Sequence, residues 1–287
     1  MKSPSLRPLE TYSIRGLSLP VRRVQIGRFK VDCWLPKESS HLIVAHDGQN
    51  VFDRRTATRG ITWRLAQRAS EVFQRRGHNP PTIIAIFNSS TEEDPHGRAL
   101  DLTPERFFRE GIPVLTKVPS GLSIEQLRGD RYLDEIFESV IPSVLTSLDT
   151  AFGFTNRALL GSSMGGLSTL YEVGRKPERY GAALAFSPHW VLGGDPLVRM
   201  TIESLPASER HRIWMSRGTR KLDRDYEPYQ LLADRLMLER GWTRENFTSK
   251  VFRGAGHNER AWAKQVSDAL EFWLASGQTQ TESNPMW

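Results

Sequence analysis

The stretch that most restricts how this 287-residue chain can fold runs from Ala158 to Ser168. Ala158, Leu159 and Leu160 form an apolar run. Gly161-Ser162-Ser163-Met164-Gly165 follows, and Leu167, Leu170, Tyr171 and Val173 then line one side of a helix. Buried strand, sharp turn and helix in that order make a nucleophile elbow, which nominates Ser163 as a nucleophile. The glycines have a steric purpose. In so tight a turn a Cβ at 161 or 165 would collide with the chain, and Ser163 is itself forced into a strained backbone conformation. The turn also places the Met164 amide at a helix N-terminus, where it can face a developing oxyanion.

Strand and helix signals alternate on both sides of the elbow. Residues 21–26 and 28–35 alternate apolar and polar, which predicts an antiparallel pair. Segments 42–45, 82–87, 181–186, 212–216 and 248–252 read as strands, and 63–75, 229–240 and 260–274 as helices. A helix is also expected within 131–148, kinked at Pro142. This alternation predicts an α/β fold with a mostly parallel central sheet and helices on both faces. Ligands of such sheets lie at the carboxyl ends of the strands. Ser163 and the loops after Ala45, Met215 and Phe252 all fall on that rim. The expected organisation is an N-terminal extension (1–20), one catalytic domain (21–276) and a loose polar tail (277–287). Within the domain, residues 88–129 carry several prolines and little periodicity, and read as an insertion over the rim.

A serine hydroxyl needs a base within reach, and the base needs a group to orient it. Of the seven histidines, His257 is the best placed. It follows the last strand in Gly254-Ala255-Gly256-His257-Asn258, where two glycines let the loop carry an imidazole back across the rim. His189, in Ser187-Pro188-His189-Trp190, follows another strand and can touch substrate. The orienting acid belongs between Ser163 and His257, just after a strand, and both Asp223 and Asp225 meet that description. A second oxyanion donor belongs after the strand 42–45, where Gly48 permits close approach and directs the Gln49 amide into the site. His46, Asp47 and Asp53 in the same loop match no common metal motif, and neither a metal nor a cofactor is expected. Trp63, Phe87 and Trp190 near the rim can serve either an aryl substrate or the core. Arg98 reads as a solvated arginine or as a guide for an anionic substrate.

Four stretches together carry a family resemblance. They are Asp47-Gly48-Gln49-Asn50-Val51-Phe52-Asp53, Gly161-Ser162-Ser163-Met164-Gly165-Gly166, Gly218-Thr219 with Leu222-Asp223 and Tyr226-Glu227-Pro228, and Gly254-Ala255-Gly256-His257-Asn258-Glu259 with Trp262. From about Arg22 to Leu274 the chain resembles the putative-esterase family of α/β-hydrolases, which includes enterochelin and feruloyl esterases. The resemblance implies the α/β-hydrolase fold, a Ser163–His257–Asp223 triad, and oxyanion donors at the Gln49 and Met164 amides. It also implies an acyl or alcohol pocket lined by Ser187-Pro188-His189-Trp190. Two departures stand out. Lys221 occupies the place nearer the Gly-Thr pair where many relatives carry the acid. His46 stands where an apolar residue is usual, and is expected to add a polar contact to substrate.

Composition removes several other classes. The formal charge is +6, but the basic residues are scattered in short knots such as Arg22-Arg23 and Arg75-Arg76, so no nucleic-acid site is expected. The one cysteine, Cys33, lies in an apolar strand and reads as a buried, inert thiol. No signal-like or membrane-spanning stretch is apparent, and a cytoplasmic location is expected. The functional expectation is a serine hydrolase acting on a small-molecule carboxylic ester. An acyltransferase or thioesterase on the same residues, or a binding protein on a hydrolase scaffold, are the alternatives. The oligomeric state is not legible.

Overall fold

The computed structural model describes residues 7–116, 123–146, 151–207 and 210–275. Nine strands form one sheet: β1 (Glu10–Tyr12), β2 (Val21–Ile26), β3 (Phe29–Trp34), β4 (Leu42–Ala45), β5 (Thr82–Ile86), β6 (Arg157–Ser162), β7 (Ala182–Phe186), β8 (Arg212–Arg220) and β9 (Phe247–Gly256). Their order across the sheet is β1-β2-β3-β5-β4-β6-β7-β8-β9. The pairs from β5 through β4 to β9 are parallel, whereas β1, β2 and β3 join antiparallel at one edge.

The α-helices are α1 (Leu65–Arg75), α2 (Gly97–Leu102), α3 (Glu105–Arg109), α4 (Gly129–Glu135), α5 (Ile141–Leu145), α6 (Met164–Arg175), α7 (Gly194–Ser204), α8 (Leu222–Asp225), α9 (Glu227–Glu239) and α10 (Glu259–Leu274). Side chains alternate across each strand, so the apolar runs feed two cores. On one face Leu42 and Val44 of β4 and Ile84 of β5 pack with Leu167 and Leu170 of α6 and with residues of α4, α7 and α9. On the other, Ile43, Ala45 and Ile83 pack with Phe73 of α1 and with Trp262, Leu270 and Trp273 of α10. Helices therefore cover both faces of a mostly parallel sheet. Cys33 is 2% exposed in the first core. No helix among the described residues is long and apolar enough to cross a membrane.

Three segments differ from their sequence-based expectation. The helix expected within 131–148 is divided between α4 and α5. A π-helical turn, Ile136–Val140, precedes α5, and Pro142 lies at its first turn. There its missing N–H costs little; residues 147–148 lie outside the described set. The described residues of the 88–129 segment, 88–116 and 123–129, are more ordered than a plain loop. Helices α2 and α3 bury Leu100, Leu102, Phe107 and Phe108, but each is only a turn or so long, too short for periodicity to emerge. Helix α7, with Leu197, Val198 and Ile202 buried, was not expected. β1 falls within the N-terminal stretch 1–20. Its Tyr12 hydroxyl donates to the buried Asp32 at 2.6 Å, and Arg23 on β2 pairs with the same carboxylate at 2.8 Å. The 277–287 tail lies outside the described residues.

Candidate active site

β6 ends at Ser162, and α6 begins at Met164. Ser163, between them, has φ 56° and ψ −122°, a conformation a non-glycine residue adopts only under constraint. The constraint is visible. The Ser163 N–H donates to Phe186 O at 2.8 Å, and its carbonyl accepts from Leu167 N at 3.0 Å and His189 N at 3.2 Å. A Cβ on Gly161 would stand 2.3 Å from Gly165 O, so the turn cannot close with any side chain there. At Gly165 the crowding is milder, 3.2 Å from His46 Cβ. Asp47, Ser187 and Lys221, which also border this rim, have φ of 52°, 45° and 57°. Strain of order 1–3 kcal/mol per residue is thus concentrated around one place.

Two further loops converge on Ser163. The Gly254–Gly256 end of β9 returns His257 to the elbow, with its Nε2 2.8 Å from Ser163 Oγ. His257 Nδ1 lies 2.6 Å from Asp223 Oδ1. Asp223 is fully buried. Its Oδ2 accepts from the Gly218 amide at 2.6 Å and from Ser187 Oγ at 3.0 Å. Ser187 Oγ in turn accepts from Trp262 Nε1 at 3.1 Å, and the Trp262 ring meets the His257 ring edge-on at 4.9 Å. Gly218 has to be glycine, since a Cβ would lie 2.7 Å from Asp223 Oδ2 and 2.3 Å from Ala255 O. Of the two candidate aspartates, Asp223 is the one that meets His257; Asp225 is 56% exposed and lies beside Arg224.

The loop after β4 runs against the elbow because β4 and β6 are parallel neighbours, and the His46 N–H extends their ladder to Leu160 O at 2.9 Å. Gln49 lies in the 3-10 turn Gly48–Asn50, with its side-chain Oε1 accepting from the Asn88 amide at 3.1 Å. Both Gln49 and Met164 are half-buried. Gly48 allows the turn to lie on β5, where a Cβ would come 2.4 Å from the Ala85 carbonyl carbon. Arg98, from α2, is half-buried and paired. Its Nε and Nη2 donate to the two Asp47 oxygens at 2.7 Å each. Burial alone would raise the Asp47 pKa, but the Arg98 charge and hydrogen bonds outweigh it and hold the carboxyl below its usual range. This pair clamps the 88–129 segment to the loop carrying Gln49.

Two expected substrate contacts are corrected. His46 is 0% exposed, with Nδ1 2.7 Å from the Tyr132 hydroxyl, so it supports the elbow from behind and presents no surface to a ligand. Trp190 is also 0% exposed. Its indole N–H donates to Gln230 Oε1 at 3.0 Å within the core under α7 and α9. The turn after β7 points His189 outward and Trp190 inward. Trp63 and Phe87 are likewise buried. His189 stays half-exposed at the rim, with Nδ1 hydrogen-bonded to the Tyr226 hydroxyl. Burial, then the nearby His257 and Arg98, lower its pKa to about 4. His46, Asp47 and Asp53 do not converge on a common point. Asp47 takes Arg98, Asp53 takes Arg55 and Arg23, and His46 faces Tyr132.

Burial also lowers the pKa of His46 and of His41, which packs edge-on against Phe73 and Trp273, to about 4. Each imidazole is neutral when folded and titrates near 6.5 when unfolded, so between pH 6.5 and 4 the unfolded chain binds more protons. Stability conferred by these groups is complete above 6.5 and declines as pH falls toward 4. At pH 5 the expected loss is of order 2 kcal/mol per histidine relative to pH 7. Urea unfolding should give a lower midpoint at pH 5 than at pH 7; coincident curves would contradict the buried, neutral state.

The family model described as "Putative esterase" matches residues 123–273, more than half of the chain. The chain belongs to this esterase family. A relative from Bacillus subtilis (strain 168), the uncharacterized protein YbbA, is 24% identical over 153 residues, which are 51% of this chain and 60% of YbbA. Among solved structures, the enterobactin esterase FES of Shigella flexneri superposes with a TM-score of 0.64 at 18% identity, over 89% of this chain and 59% of that one. An IroE-like serine hydrolase from Shewanella oneidensis gives 0.65 at 17% identity, covering 91% and 78%. The siderophore hydrolase EstA of Aspergillus nidulans gives 0.57 at 20%, covering 96% of both. The esterase-family chain therefore spans about 60% of the length of YbbA and of the Shigella enzyme. Its fold is the α/β-hydrolase fold that the sequence predicts.

Sequence reasoning overlooked Trp262 and Tyr226 as parts of the site, and the Asp47–Arg98 pair; Ser187, expected to line the substrate pocket, is fully buried and bridges Asp223 and Trp262. Tyr226 and Trp262 fall inside the stretches that resemble the family, but neither has a spacing that says its ring turns toward His257.

Proposed function

We propose that the protein is a carboxylester hydrolase that works through an acyl-enzyme on Ser163. The observation that carries this reading is the continuous hydrogen-bonded series Ser163 Oγ, His257, Asp223, at 2.8 and 2.6 Å. Asp223, accepting from Nδ1–H, keeps Nε2 bare toward the serine hydroxyl. His257 takes the Ser163 proton as Oγ attacks the ester carbonyl. The Gln49 and Met164 amides stabilise the oxyanion. His257 then protonates the departing alcohol, and later removes a proton from water as it attacks the acyl group. His189, half-exposed at the same rim, contacts the bound ester.

The similarity to the enterobactin esterase and the siderophore hydrolase supports a small-molecule ester as substrate. The test is hydrolysis of p-nitrophenyl, aryl, alkyl and siderophore-type esters beside matched thioesters, ranked by kcat/KM. Turnover of at least one oxygen ester above its thioester is expected. Turnover of none, or of thioesters alone, would overturn the reading.

A further inference from the structure

Tyr226 joins α8 to α9 and is fully buried. Its ring meets the His257 ring edge-on, 5.3 Å between centroids and 77° between planes. Its hydroxyl is hydrogen-bonded to His189 Nδ1, and the His257 ring it packs against has its Nε2 2.8 Å from Ser163 Oγ. His189 is tied to the elbow by its own backbone, through the 3.2 Å bond to Ser163 O. The phenol is thus held by its ring against the base that touches Ser163 Oγ, and by its hydroxyl against a residue anchored on the Ser163 backbone. Phenylalanine would fill the same space against His257; the hydroxyl is placed where only polar groups meet.

We propose that the Tyr226 hydroxyl, oriented by His189, donates a hydrogen bond to Ser163 Oγ and assists its departure when water cleaves the acyl-enzyme. This inference rests on the acyl-enzyme reading above. In deacylation water adds to the acyl carbon and gives its proton to His257 Nε2. The C–Oγ bond then breaks, its electron pair moves onto Oγ, and the His257 proton follows. Tyr226 shares the charge forming on Oγ and keeps its own proton throughout. Burial first, and Asp223 second, hold the phenol pKa above its usual value, which suits a donor and not a base. Neutral His189, with its proton on Nδ1, donates to the phenol oxygen and leaves the phenol proton free to face Oγ.

The donor matters most when Oγ is the leaving group, so acylation and deacylation should respond differently. Stopped-flow measurement with p-nitrophenyl acetate separates the burst of nitrophenol from steady turnover. Tyr226→Phe should lower the steady rate about 10- to 100-fold, the range of one charge-assisted hydrogen bond, with the burst rate within about threefold. The acyl-enzyme should accumulate. Equal falls in both rates, or no change in either, would overturn the proposal. His189→Ala, which keeps the phenol but removes its partner, should shift the same ratio in the same direction by less; a fall in burst rate alone would count against it. Labelling of Ser163 by a fluorophosphonate to the wild-type extent shows that each variant's site is folded. A wild type never acylated on Ser163 would refute the underlying reading. An acylated wild type with an unaltered Tyr226→Phe would refute this inference alone.

Discussion

In the Ser163→Ala variant, kcat/KM for p-nitrophenyl acetate should fall by about 10⁵-fold, as when one member of a cooperating nucleophile–base set is lost. The size of the effect follows from the geometry. His257 Nε2 has Ser163 Oγ as its partner at 2.8 Å, the one hydroxyl hydrogen-bonded to that nitrogen among the described residues. Alanine keeps the Cβ, so the φ 56° turn and its strain are carried over unchanged and the fold should survive. Thermal unfolding within a few degrees of wild type would confirm that the loss is chemical. A variant retaining more than about a hundredth of wild-type activity, a loss far short of that expected for a nucleophile, would mean that another group attacks.

The Asp223→Asn variant should lose on the order of 10⁴ in kcat, through a change of tautomer. Asp223 Oδ2 accepts two hydrogen bonds, from the Gly218 amide and Ser187 Oγ, while Oδ1 accepts from His257 Nδ1. Asparagine has one oxygen and one NH₂ to serve those places. The two donors on the Oδ2 side retain the oxygen, which turns the NH₂ toward Nδ1. The imidazole must then carry its proton on Nε2, where it can no longer take one from Ser163. Asp225→Asn is the control: its carboxylate is exposed beside Arg224, and turnover should stay within about twofold, as for an exposed pair of little energetic weight. Reversed effects would return the orienting role to Asp225.

The parts of this molecule legible in its sequence are those where local pattern and tertiary role coincide. Leu42–Ala45 is apolar at every position because β4 lies between β5 and β6 with helices on both faces. Gly161 marks the elbow because a Cβ would strike Gly165 O. What pattern cannot convey is which way a side chain turns after a strand ends. His189 and Trp190 are adjacent in the turn after β7, yet one faces the rim and the other enters the core. His46 follows β4 directly, and its ring passes behind the elbow to Tyr132. Arg98 looks like a surface arginine because its partner, Asp47, is far away in sequence. The short helices α2 and α3 show no periodicity because each is held by Phe107, Phe108 and Leu102 packing against the sheet's outer layer, not by its own repeat. Tyr226 is the clearest case: its hydroxyl and ring meet His189 and His257, both distant in sequence.

The most direct test of the account is to trap the covalent species. Wild-type protein mixed with p-nitrophenyl acetate and quenched in acid during the first turnovers should carry one acetyl group. Peptide mass mapping should place it on the peptide containing Ser163, with none in Ser163→Ala. Steady hydrolysis with no acylated peptide, or with the acetyl group on another residue, would contradict it.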